Sequence, residues 1–111
     1  FLLHEEGDAL HLAMGAPRAW FEPGQSFGVR EMASFFGPVT YRIESEASQI
    51  AVRVELDERR GPRELVVHLR RPDEQPIQGV TVNGRVHAGV QGETVHVSSP
   101  APQLEIRAVY G

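Results

Sequence analysis

Residues 38–57 read PVTYRIESEASQIAVRVELD, and their alternation decides the fold class. In the first half, Val39, Tyr41 and Ile43 share one side of an extended chain, with Thr40, Arg42 and Glu44 on the other. After a short turn at Ala47 and Ser48, Ile50, Val52, Val54 and Leu56 line one side, opposite Arg53, Glu55 and Asp57. A period of two gives each strand one dry face and one wet face. Two such strands do not persist alone in water, so a second apolar layer is required.

The flanking sequence supplies it. FLLHEE and ALHLAM surround Gly7-Asp8 and predict a first hairpin, with Leu10 and Leu12 on one face and His11 on the other. GAPRAWFEPG has room for one short helical turn near residues 17–21, opened by Pro17 and closed by Pro23-Gly24. SFGVREMA predicts a strand in which Gly28 marks a bulge or a close backbone approach. RELVVHLRR turns Leu65, Val67 and Leu69 inward but leaves Val66 apolar on the other face. ETVHVSS turns Val95 and Val97 inward, and QLEIRAVYG turns Leu104, Ile106, Ala108 and Tyr110 inward.

The segment GVTVNGRV is a hairpin with two possible registers. A two-residue Asn83-Gly84 turn sets Val82 opposite Arg85 and Val80 opposite His87. A three-residue loop, Val82-Asn83-Gly84, sets Val80 opposite Val86, and hydrophobic matching favours it. In all, about eight to ten short strands, regular turn signals and no long helical period predict an all-β fold. The expected architecture is an antiparallel two-sheet β-sandwich, jelly-roll-like, in a single domain over residues 1–111. Prolines fall between the apolar runs, as a hydrogen-bonded ladder requires.

Composition narrows the function classes. With 41% apolar and 23% charged residues the chain reads as an ordinary globular protein. No apolar run approaches the ~20 residues that a membrane-crossing helix needs. The net charge of −4, with both signs interspersed, argues against a nucleic-acid surface, which requires a basic stripe. All eleven basic side chains are arginine, a bias that a GC-rich genome also produces. Cysteine is absent, which excludes disulfides and cysteine metal sites but identifies no compartment.

Candidate chemistry is sparse. The histidines His4, His11, His68, His87 and His96 lack the His-x-His spacing of a β-scaffold metal site, so neither metal nor cofactor is implied. His68, His87 and His96 fall at or near outward strand positions, where a solvated imidazole is expected. Acidic pairs such as Glu5/Glu6, Glu44/Glu46 and Asp73/Glu74 read as solvated charge rather than as glycosidase carboxylates. No nucleophile elbow, phosphate loop or dinucleotide fingerprint is present. No catalytic residue can be named, and the expectation is a domain that is not itself an enzyme. The aromatic residues are more informative. Trp20 and Phe21 in the turn, and Phe35 and Phe36 before the central strands, can plug the core, dock a partner or stack against sugar rings.

A resemblance gives these residues a context. LLHEEGDALHLAMGAPRAWF (2–21), FFGPVTYRIES (35–45) and GVTVNGR (79–85) resemble the C-terminal β-sandwich of bacterial six-hairpin, rhamnosidase-like glycoside hydrolases. That domain follows an (α/α)6 catalytic barrel. The resemblance rests on Pro17-Arg18-Ala19-Trp20, Phe36-Gly37-Pro38 and Val80-Thr81-Val82-Asn83-Gly84, in that order. It implies a non-catalytic accessory domain, a C-terminal fragment of a larger protein, packed against the barrel of the same parent chain. Arg18, Trp20, Phe35 and Phe36 become the candidates for that interface, and an uncovered apolar patch of several hundred Å² is expected. The alternative is an independent carbohydrate-binding module using exposed aromatic rings.

Overall fold

The inward residues of the alternating runs are buried along their whole length, and two sheets close over them. A computed structural model describes residues 2–110. The smaller sheet contains β1 (Leu3–Glu6), β2 (Ala9–Leu12), β6 (Glu64–His68), β9 (Val90–Gln91) and β10 (Thr94–Ser98), in the order β1-β2-β6-β10-β9. The larger contains β3 (Ser26–Met32), β4 (Val39–Ser45), β5 (Gln49–Glu55), β7 (Ile77–Val82), β8 (Arg85–Val86) and β11 (Gln103–Tyr110), in the order β3-β4-β5-β11-β7-β8. The fold is therefore an all-β sandwich. The only helical element among the described residues is a 3₁₀ turn over Arg18–Phe21. Among the described residues there are eleven strands, and the one the sequence did not offer is β9, a two-residue pairing too short to leave an alternating signature.

Tyr41, Ile43, Ile50, Val52 and Ile106 from the larger sheet meet Leu10, Leu12, Leu65, Val67 and Val95 from the smaller one in a single cluster. Phe21 from the 3₁₀ turn is fully buried in the same cluster. It crosses Phe27 edge-to-face, with ring centroids 5.2 Å apart. The Tyr41 hydroxyl ties the layers together. It donates to the Leu2 carbonyl and accepts from the Ala13 N–H at 3.2 Å, so a β4 side chain holds both ends of the β1–β2 hairpin. Burial pushes its pKa up to about 12.

The sheets are antiparallel as expected except at one pairing, where β2 and β6 run parallel, with Leu10 opposite Leu65 and Leu12 opposite Val67. Parallel neighbours need a long crossover, and β3, β4 and β5, all in the other sheet, provide it. The β7–β8 hairpin takes the two-residue register, with Val82 opposite Arg85 and Thr81 opposite Val86. Asn83 and Gly84 both have positive φ, at 50° and 81°, the backbone of a tight hairpin turn whose twist suits the flanking strands. The Asn83 side chain secures this turn. It accepts from the Glu105 N–H at 2.7 Å and donates to the Gln103 carbonyl at 3.2 Å. Val86 is left 92% exposed, so its apolarity did not set the register.

Gly28 is a close approach. A Cβ there would lie 2.0 Å from the Tyr41 carbonyl oxygen. The bulge lies further along β3, between Val29 and Met32. At one end of the sandwich Arg71, only 3% exposed, donates to the carbonyls of Glu46 and Ala47 and pairs with Asp73 at 3.2 Å. Its guanidinium lies 4.6 Å from the centroid of the Tyr110 ring, a cation–π contact that anchors the last strand.

Candidate functional site

The four residues singled out from the sequence are not brought together. Arg18 is engaged within the domain. Its Nη1 and Nη2 fork onto the Glu93 carboxylate at 2.7 and 2.8 Å, and Nη1 also donates to the Arg71 carbonyl. The pair raises the pKa of Arg18 and lowers that of Glu93. Trp20 is 42% exposed and leans edge-on against Phe27 beside Gln25 and Ser26. Phe36 is half-buried against the core.

Phe35 is 80% exposed at the other end of β3, in the loop after Met32. The six residue steps from Ser26 to Met32 separate the Trp20 and Phe35 regions by roughly 20 Å. No coplanar aromatic array joins them. The exposed large apolar side chains are Met14, Trp20, Met32, Phe35, Val86 and Val109, contributed by strands, the 3₁₀ turn and loops.

The loop carrying Phe35 is held in place. The Ser34 hydroxyl donates to the Gly37 carbonyl at 2.6 Å and accepts from the Phe36 N–H at 3.0 Å. The Phe35 N–H donates to the Glu5 carboxylate on β1. Gly37, at φ +85°, has the Asp57 side chain where a Cβ would stand, 2.8 Å away. Phe35 is thus an exposed ring on a pinned loop.

A second constellation was missed from the sequence. On the outer face of the smaller sheet His4 stands opposite His11, and Val66 stands between His11 and His96. Of the three imidazoles expected to be solvated, His68 is instead stacked on His11. His11 and His68 have ring centroids 5.2 Å apart, and Nδ1 of His11 lies 2.9 Å from Nε2 of His68. His4 meets His11 edge-on at 5.7 Å. Val66 is buried outside the main core. Burial, with the charges of His11, Arg70, His96 and His4 contributing less, lowers the His68 pKa to about 4. The signal was available, because a Gly7-Asp8 hairpin pairs His4 with His11 by counting alone. What counting does not give is that β6 lies beside β2.

No family model matches the chain, and no curated protein matches it.

The chemistry of the imidazole column is limited by its partners. Among the described residues no three histidine or acidic side chains converge as a metal site. The Thr94 hydroxyl is 2.9 Å from Nε2 of His96, but its proton is committed to the Gln91 carbonyl at 2.8 Å. His96 therefore donates to Thr94 and does not activate it as a nucleophile. His87 likewise has its Nε2 on the His96 carbonyl, at 2.6 Å.

The outer face of the larger sheet offers a concave surface instead. An open depression of about 700 Å³ crosses β4, β5 and β11 and is lined by Thr40, Arg42, Arg53, Glu55, Gln103 and Glu105. Arg53 also borders a second depression of about 410 Å³, which continues past Glu44 and Arg107.

Proposed function

We propose that the chain is a non-catalytic accessory domain that packs against the (α/α)6 catalytic barrel of a glycoside hydrolase. The observation that carries this reading is Phe35, 80% exposed on a loop held by Ser34, Gly37 and Glu5. A large ring fixed in an exposed position loses little conformational entropy on docking, which is what an interface anchor requires. Met32, three residues earlier in the chain, is also exposed. Two further features suit a support role. Arg18 and Arg71 brace one end of the sandwich internally, so that end stays rigid when the other is loaded. The resemblance of Phe36-Gly37-Pro38 to the family's entry into the central hairpin puts Phe35 next to a family feature.

The test is made on the complete gene product. Hydrogen exchange at the 34–37 loop should be slower there than in the isolated domain. Phe35→Asp should lower the melting temperature of the complete product and leave that of the isolated domain unchanged. A gene product without an (α/α)6 barrel, or equal exchange in the two settings, overturns the reading.

A further inference from the structure

Arg42 on β4 stands directly opposite Arg53 on β5, a like-charge cross-strand pair of a kind that destabilises a sheet. Arg53 then faces Glu105 on β11, but at 3.8 Å and with both side chains well exposed. Glu105 makes its shorter contact to Arg107, at 3.0 Å. Arg42 donates to Ser26 at 2.8 Å and lies 3.6 Å from Glu44. On the far side of Arg42, its β3 partner is Gly28, which carries no side chain to cover it. The two guanidinium groups therefore line the same depression with no carboxylate between them, and each retains free donors.

The next row of the same depression is Thr40, Glu55 and Gln103, a hydroxyl, a carboxylate and an amide side by side across three strands. Glu55 makes no ion pair among the described residues. Such groups recognise hydroxyls in pairs, and Arg recognises a carboxylate through its planar fork. The two depressions meet at Arg53, so the surface is a trough rather than a closed pocket and suits an extended chain.

We propose that this trough binds a carboxylate-bearing polysaccharide segment, with one sugar carboxylate held between Arg42 and Arg53 and ring hydroxyls on Thr40, Glu55 and Gln103. Duplex DNA, with one charge per about 1.7 Å of axis, is disfavoured by Glu44, Glu55 and Glu105 around the arginines. Widely spaced uronate carboxylates place hydroxyls against those same acids. The trough shares no residue with the Phe35 loop, so the docking reading and this one stand or fall separately.

The experiment is an amide NMR titration of the protein with a galacturonate oligomer, a neutral galactose oligomer of equal length, and sodium sulfate. The galacturonate oligomer should shift amides of β4, β5 and β11, the neutral one should bind more weakly by about tenfold, and added salt should weaken the uronate complex. Arg53→Gln should weaken uronate binding by about tenfold, and Arg53→Lys by less, because it keeps the charge and loses the fork. Arg53 is exposed, so neither variant should disturb folding, and Glu55→Gln gives a second readout on the hydroxyl contacts. No shifts at millimolar oligomer, equal binding of the neutral oligomer, or unchanged affinity in Arg53→Gln overturns the proposal. The same shifts with sulfate alone would mark a bare anion site and overturn it as well.

Discussion

Nδ1 of His11 lies 2.9 Å from Nε2 of His68, in two rings stacked across neighbouring parallel strands. One nitrogen donates to the other, and a proton added to His68 at Nε2 would set two N–H groups against each other.

This predicts an acid-side loss of stability. His68 titrates near 6.5 when unfolded and near 4 in the fold. Below 6.5 the unfolded chain takes up a proton that the folded one refuses, so stability falls as pH drops from 6.5 to 4 and levels off beneath. Solvent screening of a half-exposed ring trims the loss to about 1–2 kcal/mol. Urea midpoints measured across that range should show it, and His68→Gln should remove this part of the slope. An unchanged slope in the variant would refute the assignment.

The two buried tyrosines should respond in opposite ways to loss of the hydroxyl. Tyr41→Phe removes the bond to Leu2 and strips a partner from Ala13, so it should cost about 1–2 kcal/mol. The Tyr110 hydroxyl is buried with no partner among the described residues, so Tyr110→Phe should be neutral or stabilising. Chemical denaturation of both variants decides it.

Gly28→Ala should cost about 2–3 kcal/mol, because its Cβ would stand 2.0 Å from a carbonyl oxygen that is part of the ladder. Gly79 on β7 has nothing within 4 Å of the same position, so Gly79→Ala should change stability by less than about 0.5 kcal/mol. Comparing the two melting temperatures separates close approach from glycine content.

Arg71→Met keeps the apolar stem and removes the donors to Glu46, Ala47 and Asp73. Arg71 is itself only 3% exposed and its contact with the Tyr110 ring goes with the guanidinium, so about 1–3 kcal/mol should be lost. Exchange of the amides at 46–48 and 110 should speed up together. A melting temperature like that of the parent protein would show that the guanidinium is dispensable.

Strands whose inner face is buried were legible because alternation fixes that face. β4, β5, β10 and β11 lie where Tyr41, Val52, Val95 and Ile106 place them. Pairing between distant strands was not legible, since Leu10 and Leu65 carry no mutual signal in one sequence. The β7–β8 register was misread because hydrophobic matching gave Val86 weight that an exposed edge position does not carry. At the candidate surfaces the residue types were visible but their neighbours were not. Arg42 and Arg53 could be matched by counting around the Ala47-Ser48 turn, whereas Glu105 and Gln103 reach the trough only once β11 joins β5.

The parallel pairing of β2 with β6 has a bearing on how the chain acquires its shape. Hairpins can zip locally as soon as they emerge from the ribosome, yet the smaller sheet cannot be completed until β2, from the first half of the chain, has met β6, from the second. Assembly should therefore be governed by closure of that long loop, on a scale of about milliseconds to seconds. Until it closes, β1 and β2 form a lone hairpin with Leu10 and Leu12 open to any greasy surface nearby.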